Sequence, residues 1–188
     1  MKVLGFVGSG RIGGNTDKLV QQALAGAIAK RAETRIFHLN TMNIKGCQSC
    51  NYCKRYDGCI IEDDMQEIYK DIADADAIII GSPIYMMQLS AQTKLFIDRL
   101  YAFRNIDSST KISPKKLMLI YGCKYPDPNA YKQYFQLMES LFNYLRLFKI
   151  VHTVTVGGLI GENDILNNSE VMHKAKVYGE NLADILLN

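Results

Sequence analysis

Short apolar runs at residues 3–7, 77–80, 117–121 and 150–156 are separated by stretches whose apolar residues recur three and four positions apart. Nothing else in the chain restricts its folding as much. Runs this short, each joined to the next through a helical pattern, read as strands buried on both faces of a parallel sheet. Residues 34–39 form a further strand, more polar and therefore suited to an edge. Five strands alternating with five helices predict an α/β three-layer sandwich. Right-handed crossovers and strand order 2-1-3-4-5 place the polar strand outermost and residues 3–7 inside.

The helical stretches are equally explicit. Leu19, Val20, Ala23, Leu24, Ala27 and Ile28 mark a helix from about residue 15 to residue 30. Asp63 or Asp64 is expected to cap the next, with Met65, Ile68, Tyr69 and Ile72 on its apolar face. A third begins near Ser90 and carries Leu95, Phe96, Leu100 and Phe103. Tyr131, Phe135, Met138, Phe142 and Leu145 belong to a long fourth helix, and Val171, Ala175, Tyr178, Leu182 and Ile185 to a fifth.

With 188 residues, 48% of them hydrophobic, the chain is expected to form a single domain spanning 1–188, with a cysteine-rich loop at 40–63. A net charge of +3, scattered without a basic run, argues against nucleic acid as a partner. No apolar run approaches the roughly 18 residues that a membrane span requires. Met1-Lys2-Val3 leads into a strand without the layout of a signal peptide, so a cytoplasmic protein with no membrane partner is expected.

The first strand ends in Gly8-Ser9-Gly10-Arg11-Ile12-Gly13-Gly14-Asn15-Thr16, which passes directly into the first helix. Small residues, hydroxyl and amide donors, an arginine and a helix start together make an anion site. The glycine spacing fits a dinucleotide loop, but that reading needs a carboxylate at the end of the second strand, where Leu39-Asn40 stands. A single terminal phosphate suits the donors better. A tight turn with no ligand remains the alternative. In a sheet of this order the ligand site lies at the carboxyl ends of the first and third strands, where the loops at 8–16, 82–90 and 122–126 converge.

Gly8-Ser9-x-Arg11-x-x-Gly14-Asn15-Thr16, Gly81-Ser82-Pro83-Ile84-Tyr85 and Gln88-Leu89-Ser90-Ala91-Gln92-x-Lys94-x-Phe96-x-Asp98-Arg99 resemble the NADPH-dependent FMN reductase branch of the flavodoxin-like superfamily. The cysteine segment and the Asp63-Asp64-Met65 that follows resemble its iron-sulfur flavoproteins. This resemblance implies a flavodoxin-like fold that binds FMN. Ser9, Arg11, Asn15 and Thr16 would hold the phosphate, Pro83, Ile84, Tyr85 and Met86 would line the ring, and Gly122, Cys123 and Lys124 would close its far side. It further implies NAD(P)H or a ferredoxin-type carrier as partner, and a homodimer or homotetramer.

Cys47-x2-Cys50-x2-Cys53-x5-Cys59 supplies the ligand count of a 4Fe-4S cluster in one compact segment. Lys45, Lys54 and Arg55 would offset an anionic centre. Zinc usually takes two well-separated pairs, and a reduced, metal-free loop is the third reading; all three stay open. Cys123 stands apart, and His38, His152 and His173 follow no ligand or triad spacing. No acid-base pair is needed for flavin redox chemistry, so the site residues are assigned binding roles and none a catalytic one. The expected function is an FMN-dependent oxidoreductase, with or without a cluster relaying electrons. A non-catalytic, zinc-stabilised binding module is the rival from another class.

Overall fold

The computed structural model describes residues 1–184, so Ile185, assigned above to the fifth helix, lies outside the described residues. β1 (Lys2–Val7) leads through the glycine-rich loop into α1 (Asn15–Ala29) and β2 (Glu33–His38). The irregular segment that follows contains the short α2 (Tyr52–Arg55) and ends at α3 (Met65–Asp74) and β3 (Ala77–Tyr85). β4 (Gln88–Leu89), α4 (Ala91–Arg99), β5 (Lys115–Gly122), α5 (Lys132–Leu145), β6 (Phe148–Val156) and α6 (Ser169–Asp184) complete the order.

The parallel strands run β2-β1-β3-β5-β6, which is the expected 2-1-3-4-5 topology. β1 is buried along almost its whole length, whereas β2 at the edge alternates between exposed and partly buried positions until Phe37, which enters the core. Because successive side chains point to opposite faces, the strands feed two cores. Val3, Val7, Ala77, Ile79, Met118 and Ile120 meet α1 and α6 on one side. Leu4, Phe6, Ile78, Ile80, Leu117 and Leu119 meet α3, α4 and α5 on the other.

The structure departs from the expected loop at residues 82–90. β3 continues to Tyr85 and returns as an antiparallel hairpin, with Ile84 opposite Leu89 and Tyr85 opposite Gln88. The turn residues Met86 and Met87 have φ of 45° and 66°. Two positive φ values normally call for Asn or Gly at the tip, so a Met-Met turn carries no sequence signal of the hairpin it makes.

α1 and α6 approach closely enough that a Cβ on Gly179 would lie 1.8 Å from the Ala23 carbonyl oxygen, and one on Gly26 would lie 2.0 Å from that of Lys176. Backbone therefore packs on backbone where these helices cross, while Leu19, Val20, Ala23 and Leu24 on the inner face of α1 pack on the sheet. Among the described residues no helix is long and apolar enough to cross a membrane.

Candidate functional site

The glycine-rich loop is set by hydrogen bonds that its neighbours impose on it. Gly8 N–H donates to the Gly81 carbonyl at 2.8 Å, and the Gly8 carbonyl accepts from Ser90 Oγ at 2.6 Å. Ser90 also accepts from Thr93 N–H at 3.2 Å and so caps α4. A Cβ on Gly8 would come within 1.8 Å of Thr93 Oγ1, so only glycine fits between β1 and this cap.

No side chain caps the start of α1, whose preceding residue is Gly14. Its first-turn N–H groups, with the positive end of the helix dipole, face the carboxyl end of the sheet. Beneath the loop, the fully buried Asp17 carboxylate accepts from Gly13 N–H at 2.6 Å and Gln21 Nε2 at 2.7 Å, and lies 3.0 Å from His38 Nε2. Burial acts to raise this carboxyl, but these three partners together hold it below the ordinary carboxylate range.

The three loops at the carboxyl ends of β1, β3 and β5 border one cleft of about 420 Å³. Ser9, Arg11, Asn15 and Thr16 line one part of it, Pro83 to Met86 another, and Gly122, Cys123 and Lys124 a third. Ser9 and Thr16 are buried, Arg11 is exposed, and Met86 at the hairpin tip is 95% exposed. Burial pushes the Cys123 thiol up.

Leu159 and Ile160 complete the wall, and sequence reasoning missed them. They lie in the loop after β6 and have no periodic pattern to mark them. Leu159 N–H donates to the Cys123 carbonyl at 3.0 Å and Gly158 N–H to the Tyr125 carbonyl at 2.9 Å, which ties this loop to the one after β5. The Asn15 side chain joins it too. Its Nδ2 donates to the Gly161 carbonyl at 2.6 Å, and its Oδ1 accepts from Ile165 N–H at 3.1 Å.

The cysteine segment is organised from outside itself. Arg99, at the end of α4 and 1% exposed, donates to both carboxylate oxygens of Asp63, to the Lys45 carbonyl at 2.8 Å and to Cys59 Sγ at 3.6 Å. Its Nε meets Tyr69 Oη at 3.2 Å. Burial acts to raise the Asp63 carboxyl, but Arg99 and the N–H groups of Lys45 and Met65 hold it below the ordinary range. Lys111 Nζ donates to the Cys53 and Tyr56 carbonyls, and Lys54 Nζ to those of Tyr101 and Arg104.

All four cysteines of the segment are free thiols, Cys47 and Cys50 exposed, Cys53 and Cys59 half-buried against the core. Burial pushes the Cys53 thiol up, and the neighbouring Lys54 acts against that rise. Among the described residues no three histidine, cysteine or acidic side chains are gathered closely enough to hold one metal ion. The donors of a thiolate site are thus present in kind and number on one segment, but the structure does not assemble them into a ligand set.

The family model for NADPH-dependent FMN reductase matches residues 1–158. An iron-sulfur flavoprotein of Methanocaldococcus jannaschii is 43% identical over 99 residues, which are 53% of this chain and 51% of that protein. An iron-sulfur flavoprotein of Methanosarcina thermophila is 36% identical over 111 residues, 59% of this chain and 58% of that one. The chain thus spans little more than half the length of these curated relatives. Among solved structures, an NAD(P)H:quinone oxidoreductase from Methanothermobacter marburgensis aligns with a TM-score of 0.76 at 16% identity, covering 97% of this chain and 96% of that one. At that identity the likeness is one of fold.

Proposed function

The chain belongs to the NADPH-dependent FMN reductase family, and from that premise we propose that it is an FMN-dependent oxidoreductase whose cofactor lies in the cleft beside β1 and β3. One observation carries this reading. A helix start without a side-chain cap, two buried hydroxyls and the Arg11 guanidinium meet an apolar wall in a single cleft.

The donors suit a phosphate monoester, for which helix N–H groups, hydroxyls and a guanidinium are the natural partners. The wall of Pro83, Ile84, Tyr85 and Met86 suits a flat aromatic ring, and about 420 Å³ falls within the usual range for a small-molecule site. Of the four residues that the resemblance gives to the phosphate, Ser9, Arg11 and Thr16 hold it on this reading, the Asn15 side chain being engaged elsewhere, while Gly122, Cys123 and Lys124 bound the ring. When bound, FMN supplies transfer of a hydride from a reduced nicotinamide or of single electrons from a protein carrier. The chain's own part is to bind, to orient and to exclude water.

The iron-sulfur flavoproteins among the relatives make Cys47, Cys50, Cys53 and Cys59 the proposed ligands of a 4Fe-4S cluster that exchanges electrons with a ferredoxin-type carrier. The second reading, a reductase of flavin or quinone without a cluster, uses the same cleft and differs only in leaving the four thiols without metal. For assembly, the exposed Tyr85, Met86 and Met87 at the mouth of the cleft support a second copy covering that face in a homodimer or homotetramer. A single domain in the cytoplasm is the setting we propose.

The test is the flavin that copurifies. FMN is expected, and Arg11→Ala combined with Thr16→Ala should weaken it at least about a hundredfold, since two bonds to a charged phosphate contribute roughly 1.5–3 kcal/mol each. Undiminished FMN in that variant would refute the assigned phosphate site. Absorbance and iron analysis of protein purified without oxygen separate a flavin-cluster protein from one carrying flavin alone.

A further inference from the structure

We propose that the Asn15 side chain is a positioning group, spent on holding the Leu159–Ile160 wall against the cleft rather than on the phosphate. The inference rests on the FMN reading above and refines one residue of it.

The residue stands at the first position of α1, among the groups that the resemblance assigns to the phosphate. Its side chain is nevertheless engaged by a single distant loop. Nδ2 can only donate to the Gly161 carbonyl, and Oδ1 can only accept from Ile165 N–H, so the two backbone partners fix which end of the amide is which. Two bonds at opposite ends also fix the plane of the amide.

What Asn15 holds is part of the cleft. The loop it grips runs from Leu159 and Ile160, which line the cleft, to Ile165, which is fully buried beneath α1. Asp164 braces the same turn from within, its Oδ2 accepting from Ile160 N–H at 2.7 Å and Gly161 N–H at 2.6 Å. Leu159 in turn reaches over Gly122, with its Cδ1 3.0 Å from where a Cβ on that glycine would be. The N–H groups of Leu159 and Ile160 are taken by the Cys123 carbonyl and by Asp164, and neither side chain is polar, so this wall presents mainly apolar surface to a ligand. Asn15 therefore acts on the organic body of the ligand through the wall, and a ligand without phosphate should feel its loss as strongly as FMN does.

That equality is the test. Binding of FMN and of riboflavin, which has no phosphate, is measured by flavin fluorescence in wild type, Asn15→Ala, Asp164→Ala and Arg11→Ala. Amide hydrogen exchange across residues 159–165 is followed in the same proteins without flavin. Expected are a loss of about tenfold for both flavins in Asn15→Ala and in Asp164→Ala, from two broken hydrogen bonds in each. Faster exchange at 159–165 should accompany it. Arg11→Ala, by contrast, should weaken FMN far more than riboflavin and leave exchange unchanged. A loss in Asn15→Ala confined to FMN, or unchanged exchange at 159–165, overturns the proposal. Failure of the wild type to bind either flavin overturns the FMN reading instead, and the exchange rates still decide whether Asn15 holds the loop.

Discussion

The loop of residues 8–16 and the segment of residues 43–63 are held in opposite ways. The loop is short, joins a strand directly to a helix, and is fixed at Gly8 by close packing against the α4 cap and at Gly13 by the Asp17 carboxylate beneath it. The cysteine segment is long, contains only the four-residue α2, and is fixed by charged groups from elsewhere: Arg99 on α4, and Lys111 from the connection before β5. A site of the first kind is built by close packing of backbone and tolerates no added atom at its tightest point, Gly8. One of the second kind is built by a few buried long-range bonds and fails when one of them is removed.

The largest effect should come from the clasp. Arg99→Met leaves the Asp63 carboxylate, whose side chain is 0% exposed, without its counter-charge, and should cost about 3–5 kcal/mol in urea denaturation. Adding Asp63→Asn to it should recover part of that loss. A cost under about 1 kcal/mol would show that the segment does not depend on the clasp. Gly8→Ala is the matching assault on the loop. With Thr93 Oγ1 1.8 Å from the new Cβ, a repacking cost of about 1–3 kcal/mol and loss of bound FMN are expected, read by melting and by flavin content.

Asp17 sharpens the contrast because it is the buried charge beneath the loop, in the first turn of α1. Its carboxyl lies below the ordinary value of 3.8, so the stability it contributes is fully present above that value and is lost as pH falls through the lowered one. Asp17→Asn should therefore cost about 1–2 kcal/mol at neutral pH and should flatten the acid limb of the stability profile. An unchanged acid limb would count against this role.

The smallest effect on stability is expected of Cys53→Ser, below about 1 kcal/mol, because Cys53 is only half-buried and its segment is held through other groups. Flavin content should not change. If the four thiols hold a cluster, iron content and exchange with a protein carrier should fall sharply in this variant. Iron-free wild type with undisturbed turnover of NAD(P)H would leave the simple reductase.

What the sequence made legible follows the same division. The apolar runs and their helical spacers specify strand order, and strand order brings the loops at 8–16, 82–86 and 122–124 to one cleft without reference to distant side chains. Arg99 gave no such signal, because in a helical pattern it looks like a solvated surface charge, and only the approach of residues 45, 59 and 63 makes it a buried anchor. Asp63 was legible as a helix-start residue, and it does accept from Met65 N–H at 3.1 Å, but its ion pair was not. Leu159 and Ile160 sit in a loop where two apolar residues form no period, and the Met86–Met87 turn lacks the Asn or Gly that marks such geometry.

The crossing of α1 and α6 also governs when this protein can take shape during its synthesis. Gly26 and Gly179 let the two backbones touch, and α1 carries the uncapped end that faces the cleft. On the ribosome α1 emerges long before α6, which leaves its outer face without a partner while the strands between them are still being made. Until α6 is made, α1 rests on β1 and β3 through its inner face alone, and the face that receives Gly179 stays open to water.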